Sequence, residues 1–175
     1  MTTVTISGTP GSGKSTVAEL LKEKLDLPYI YSGLLFRKQA EKHQMSLAKF
    51  SKYCEQNDEV DRKLDEEQIK ILQKGNVILE GRLAGWLAYL NKISAVKIML
   101  DAAIDIRAQR IKKRERGSLV QQKKEMIQRE KSEQFRYKKY YDIDLKDTSI
   151  YDLVIDTSEK SPEKIVDQII SHMEE

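Results

Sequence analysis

Thr2-Thr3-Val4-Thr5-Ile6-Ser7 is a β-branched run that leads directly into Gly8-Thr9-Pro10-Gly11-Ser12-Gly13-Lys14-Ser15-Thr16. The second stretch matches G-x-x-x-x-G-K-[ST] in full, and it lies between a strand pattern and the helical pattern of Ser15 to Leu25. The spacing has a physical reason. Glycines let consecutive backbone N–H groups turn around a phosphate, and the helix starting near Lys14 aims its positive end at the same anion. Lys14 then reaches the β- and γ-phosphates, and the Ser15 hydroxyl supplies one ligand to Mg²⁺. Gly8 to Thr16 is therefore the expected ATP-binding loop, with Mg·ATP as phosphoryl donor. A glycine-rich turn preceding a helix by accident is the weaker reading, because chance matches in a chain of this size fall below about one in a hundred.

Outward from this loop, short apolar runs alternate with helical patterns. Tyr29 to Tyr31, Val77 to Glu80, Val96 to Leu100 and Leu153 to Ile155 join the first run as strands. Helical patterns follow at Leu34 to His43, Ile104 to Arg116 and Pro162 to Met173, and two more, Ser46 to Cys54 and Asn57 to Lys74, stand between the second and third strands. Val77-Ile78-Leu79 is continuously apolar, as in strands buried on both faces of a parallel sheet. The pattern predicts an α/β fold of the P-loop type, five parallel strands flanked by helices. Ser46, Asn57 and Ser118 are expected N-caps, Pro162 a first-turn residue and Gly75 a helix stop.

A length of 175 residues predicts one domain over 1–175, with a small acceptor-covering element near 32–75 and a helical lid near 107–142. With 39% hydrophobic residues the chain can bury a core, so disordered and low-complexity classes drop out. No run approaches the length of a bilayer span and Met1 to Ser7 carries no leader pattern, so a cytoplasmic protein with no membrane partner is expected. Cys54 is alone and His43 and His172 are far apart, which predicts neither a disulfide nor a zinc site. Net charge is only +3, yet Arg107 to Lys139 holds 13 basic residues against 4 acidic ones, a local +9. Such a block suits a solvated helical face, a nucleic-acid patch or a clamp for a polyanionic small molecule.

Glu80 ends the third strand, where an acid faces the phosphates of a ligand at the carboxyl edge. It either holds Mg²⁺ through water or is a buried acid satisfied by backbone N–H groups. Arg82 follows, with a planar fork suited to a second phosphate. Arg107, Arg110 and Arg114 share one helix face, and Arg129 and Arg136 are seven apart with Glu133 on the same side. Two arginine-lined faces around Arg116-Gly117-Ser118 look like a lid that closes over nucleotide phosphates. A guanine switch is disfavoured, because Asn91-Lys92-Ile93-Ser94 lacks the acid that reads guanine.

Transfer between phosphates needs alignment and charge neutralisation more than covalent help. The residues expected to act on the transferred group are Lys14, Arg82, Arg110, Arg114, Arg129 and Arg136. Arg136→Ala is expected to lower kcat far more than stability. The acceptor is expected at Ser32, Gly33, Arg37, Asp61 and Arg82, with Asp61 and Arg62 candidates for a base or sugar edge. Ser15, and Glu80 through water, are the expected metal ligands. Trp86 and the cluster Tyr137, Tyr140 and Tyr141 read as packing residues, and Lys112, Lys113, Lys123, Lys124, Lys138 and Lys139 as surface charge.

The chain resembles the nucleoside monophosphate kinases, and within them the compact archaeal-type cytidylate kinases. The resemblance covers nearly the whole chain and rests on Gly8 to Thr16, Ser32-Gly33-Leu34-Leu35-Phe36-Arg37, Met45-Ser46-Leu47 with Phe50 to Tyr53, Glu80 to Trp86, Arg129-Glu130 with Ser132-Glu133 and Arg136-Tyr137, and Ser149 to Ile155. It implies ATP-dependent phosphorylation of CMP and dCMP, with Arg37 and Arg82 on the acceptor phosphate and Arg129 and Arg136 at the substrate and transfer site. Relative to the bacterial enzymes, Leu83 stands in place of an acid and no large inserted domain covers the pyrimidine. The expected partners are ATP, CMP and dCMP, acting on a monomer without nucleic acid. The alternatives are a related kinase for UMP or another small phosphate acceptor, and an ATP-controlled RNA-binding protein whose RNA affinity falls steeply with salt.

Overall fold

The computed structural model describes residues 2–115 and 117–174; Met1, Arg116 and Glu175 lie outside the described residues. Five strands, β1 (Thr3–Gly8), β2 (Tyr29–Tyr31), β3 (Val77–Glu80), β4 (Val96–Asp101) and β5 (Leu153–Asp156), form one parallel sheet in the order β2-β3-β1-β4-β5. All six residues of β1 and all four of β3 are buried, which is why their sequences show no alternation. The register pairs Ile6 with Glu80 and Gly8 with Leu100, so the chain leaves β1 level with the acidic end of β3 and between two neighbours.

The helices are α1 (Lys14–Leu25), α2 (Ser32–Lys42), α3 (Leu47–Cys54), α4 (Asp58–Lys74), α5 (Ala84–Leu90), α6 (Ile104–Arg114), α7 (Leu119–Tyr141) and α8 (Pro162–Glu174). On one sheet face, Val17, Ala18 and Leu21 of α1 and Ile165, Val166 and Ile169 of α8 pack on Val4, Ile6, Ile98 and Ile155. On the other, Leu72 of α4, Leu87 of α5 and Tyr137 of α7 pack over Leu79. Two smaller clusters lie away from the sheet: Ala40, Phe50 and Cys54 join α2 to α3, and Ala108, Ile111 and Met126 join α6 to α7. Each is a local core of few buried side chains, the kind of unit that opens at lower free energy than a central sheet.

The end signals act as their chemistry predicts at Ser46 and Ser118, whose hydroxyls accept from Lys49 N at 3.3 Å and Gln121 N at 3.2 Å. Asn57 precedes α4 but its side chain turns back and donates to Tyr53 O at 2.8 Å instead of capping. Among the described residues no helix is long and apolar enough to cross a membrane.

Candidate active site

The loop between β1 and α1 is held from behind by its carbonyls. Pro10 O and Gly11 O accept from Arg107 Nη1 and Arg110 Nη1 at 3.3 Å, and Ser12 O accepts from Thr157 Oγ1 at 2.8 Å, while on the cleft side Thr9 O accepts from Lys14 Nζ at 2.9 Å. A trans peptide points its N–H away from its C=O, so fixing successive carbonyls outward turns N–H edges toward the cleft. Two glycines make this path possible. A Cβ on Gly8 would stand 2.2 Å from Leu100 O, and Gly13 caps α1 at φ 91°, in the left-handed region. Thr9 and Ser12 turn away from the cleft, the Thr9 hydroxyl donating to Asp101 Oδ1 at 2.5 Å and Ser12 being fully buried. Gly8, Pro10, Gly11, Gly13, Lys14, Ser15 and Thr16 line it. Burial lowers the Lys14 ammonium to about 8, with Arg82 and Arg129 adding to the fall and Glu80 and Glu133 opposing it. An anion in the cleft reverses that penalty.

Beside the loop, Ser15 Oγ donates to Glu80 Oε1 at 3.1 Å and the Tyr29 hydroxyl donates to the other carboxylate oxygen. Glu80 is thus satisfied by side-chain hydroxyls. Among the described residues no cluster of three or more His, Cys, Asp or Glu side chains is able to hold a metal by itself. Ser15 and Glu80 offer two hard oxygens side by side, a set that fits Mg²⁺ only when phosphate oxygens and waters complete six ligands.

The arginines divide into two groups. Glu133 on α7, 3% exposed, accepts from Arg82 Nε at 2.7 Å and from Arg129 Nε at 3.1 Å, so one carboxylate fixes two guanidiniums. Burial alone would raise the Glu133 carboxyl, but Arg129, Arg82 and Arg136 outweigh it and hold it below the usual carboxylate range. Arg136 donates to both oxygens of Asp61 and lies over the Phe36 ring, 5.5 Å from its centroid. Arg37 reaches Glu115 at 3.6 Å, joining α2 to the end of α6, and Arg114 lines the same cleft. Arg107 and Arg110 stand apart from this group and behind the loop. Arg107 also bonds Ala102 O at 2.9 Å and Glu130 at 2.7 Å, and Arg110 bonds Thr157 O at 2.7 Å. Arg110, expected among the groups touching the transferred phosphate, here donates to Gly11 O, Thr157 Oγ1 and Thr157 O and is not among the residues lining the cleft.

Ser32, Gly33, Arg37, Asp61, Arg82, Arg129 and Arg136 all line the cleft. The dyad Asp61-Arg62 separates: Asp61 is 3% exposed, whereas Arg62 is at the surface, bonded to Asp58 at 2.7 Å and lying over the rings of Tyr140 and Tyr141. Sequence reasoning missed Asp65 and Gln68, which continue Asp61 along one face of α4 and end at the core residue Leu72. That spacing of four, three and four residues was the available signal, hidden because charged residues at helical intervals ordinarily face water. Asp65 accepts from the Tyr141 hydroxyl at 2.7 Å and Gln68 Nε2 at 3.2 Å, and burial pushes its carboxyl up to about 7.

This cleft can be set beside known proteins. The chain is 45% identical over 169 residues to the cytidylate kinase of Methanocaldococcus jannaschii, covering 96% of this chain and 95% of that protein. It is 43% identical to the cytidylate kinase of Pyrococcus horikoshii, covering 98% and 89%. Among solved structures, an uncharacterized protein from Eubacterium ventriosum superposes with a TM-score of 0.73 at 18% identity, covering 99% of both chains. The shikimate kinase of Bacteroides thetaiotaomicron does so with 0.61 at 16%, again covering 99% of both. These last two carry the fold alone. The sequence profile of the cytidylate kinase-like family matches residues 3–159, the whole sheet and both groups of arginines, and the chain belongs to that family.

Proposed function

We propose that this protein transfers the γ-phosphoryl group of Mg·ATP to CMP or dCMP, giving ADP and the pyrimidine nucleoside diphosphate. The observation that carries this reading is one cleft lined both by the Lys14 loop and by the Arg82–Glu133–Arg129 cluster. Two anion sites facing each other are what transfer from one phosphate to another requires.

Lys14 and the loop N–H groups hold the donor's β- and γ-phosphates. Ser15, and Glu80 through water, would hold Mg²⁺, which when bound would neutralise charge on the phosphates. Arg37 and Arg82 receive the acceptor's phosphate, and Arg129, with Arg114 from α6, neutralises charge on the group in flight. Arg136 supports that arrangement from beneath the acceptor. An oxygen of the acceptor phosphate attacks Pγ as the bond from Pγ to the β–γ bridging oxygen breaks, and the electron pair leaves with ADP. No general base is needed, since the acceptor phosphate is already ionised. The acids lining the cleft support this reading, since Asp61, Glu115 and Glu133 are paired with arginines, Glu80 is bonded by two hydroxyls and Asp65 by Tyr141 and Gln68.

Residues 32–75 act as the acceptor-binding element and 107–142 as the lid, each supported by its own small core. The enzyme works as a cytoplasmic monomer: its one cysteine is buried and its large exposed apolar side chains, such as Tyr89, Val120 and Val154, are scattered over different elements. RNA binding loses its footing because Arg107, Arg110, Arg129 and Arg136 of the basic block turn inward onto protein partners. The test is ADP release with Mg·ATP and a panel of CMP, dCMP, UMP, AMP, GMP and no acceptor. CMP and dCMP well above the rest is the expected result; equal release without acceptor ends the transfer reading, and UMP in first place replaces the acceptor.

A further inference from the structure

Gln68 is 6% exposed and its amide has one orientation open to it. Nε2 lies 3.3 Å from Leu64 O and 3.2 Å from Asp65 Oδ1. A backbone carbonyl only accepts, so the NH₂ group must face Leu64, and the Asp65 carboxyl is itself fixed through Tyr141. Both amide protons are thereby used on the helix. Gln68 Oε1 is left buried and without a hydrogen-bond donor. Its position is defined by its surroundings: a Cβ on Gly81 would stand 3.1 Å from Gln68 Oε1 and 2.1 Å from Ser32 Oγ. Ser32, Gly81 and Gln68 all line the cleft, with Leu64 and Phe36 adding apolar wall nearby.

A buried acceptor with no partner is costly, and a ligand N–H removes that cost. We infer that Gln68 Oε1 accepts a hydrogen bond from the 4-amino group of the acceptor's cytosine ring, and that Asp65 is the positioning residue that keeps the Gln68 amide from flipping. This rests on the pyrimidine monophosphate reading of the cleft. The chemistry discriminates. Cytosine presents an amino donor at position 4, whereas uracil presents a carbonyl oxygen there. Against a fixed acceptor the uracil oxygen leaves two lone pairs opposed and Oε1 unsatisfied, and a site built to bond a donor rejects analogues that lack it.

The experiment measures equilibrium binding of CMP, UMP and the ribonucleoside monophosphate of pyrimidin-2-one, which has hydrogen in place of the amino group. The wild-type protein is expected to bind CMP about 10- to 100-fold more tightly than either of the others. In Gln68→Leu the advantage of CMP over the pyrimidin-2-one nucleotide should shrink to about twofold or less. In Asp65→Asn the side chain can offer N–H to Gln68, one of the two acceptors that orient the amide is lost while Leu64 O remains, the hold on that orientation weakens, and UMP should gain on CMP. Wild-type protein that binds the pyrimidin-2-one nucleotide as tightly as CMP overturns the inference without recourse to any variant, as does an unchanged preference in Gln68→Leu. Turnover with Mg·ATP is recorded separately. Gln68-dependent preference for CMP without transfer would sustain this assignment and end the kinase reading, and transfer to CMP with Gln68-independent binding would do the reverse.

Discussion

One guanidinium nitrogen of Arg136, Nη1, stands 2.7 Å from each carboxylate oxygen of Asp61, a residue 75 positions earlier in the chain. The pair ties α7 to α4 in a setting where Arg136 is 1% exposed. Burial opposes both charges, pushing the Asp61 carboxyl up against the pull of Arg136, while Tyr137, Asp61 and Glu133 keep the guanidinium protonated. Removing one partner leaves the other charge buried alone, at a cost of about 3–5 kcal/mol. Arg136→Ala is therefore expected to lower stability as well as kcat, which revises the expectation from sequence that kcat would suffer far more than stability. Arg136→Lys keeps the charge but loses the planar fork, and should recover much of the stability with little of the rate. Urea midpoints beside kcat for the two variants check this; full stability in Arg136→Ala would remove the pair from the fold.

Lys14 offers a second check. Lys14→Ala should reduce transfer by about 10²–10³-fold or more while the urea midpoint barely moves. Because burial lowers its ammonium to about 8 from the ordinary 10.5, Lys14 should acylate faster than surface lysines near that pH, and Mg·ATP should protect it. Peptide mass spectrometry after brief acylation reads both effects. A Lys14 no more reactive than its surface neighbours would count against a desolvated amine.

Asp65 makes stability depend on pH with a defined sign. Its carboxyl is raised to about 7 from 3.8, first by burial and then by Asp61, with Tyr141, Arg136 and Arg62 opposing. Between those values the folded protein binds a proton that the unfolded chain has released, so this group's contribution to stability is present below about pH 4 and is lost as pH rises toward 7. The loss is at most roughly 1.4 kcal/mol per pH unit. Asp65→Asn does not titrate, so the gap between wild type and variant should shift in the variant's favour from about pH 5 to about pH 8. Parallel denaturation curves at the two values measure it, and a constant gap would contradict the raised carboxyl.

Closure predicts motion at one place in particular. The middle and end of α7 are anchored on α3, where Ser132 Oγ donates to Ser51 O at 3.1 Å and the Tyr140 hydroxyl donates to Cys54 O. Gly117, before α7, lies at φ 123°, and Val120 in the first turn of α7 is 78% exposed. Spin labels at Val120 and Lys42 should therefore approach when both nucleotides are added, and labels at Lys139 and Lys42 should change less. An immobile Val120 would rule out a lid.

The alternation of short apolar runs with helical periods, and the strand-to-helix setting of Gly8 to Thr16, made the five-stranded parallel sheet and its phosphate loop legible, because each signal lies within a dozen consecutive residues. The helix Ala84–Leu90 escaped notice: Ala84 to Ala88 are all buried, so no polar face marks a period. Arg82, Arg129 and Glu133 were recognisable as candidates, yet that one carboxylate holds both guanidiniums depends on packing α7 over the end of β3.

By itself the sequence determined the sheet, the order of its elements and the chemistry of the loop, since local periodicity and turn residues encode those directly. Only the tertiary structure decided which charges face inward. Arg107 and Arg110 went behind the loop, Arg136 into the interior against Asp61, and Asp65 and Gln68 into the cleft wall. A buried charge is tolerable only where a partner from a distant segment meets it, and distance along the chain does not reveal that meeting.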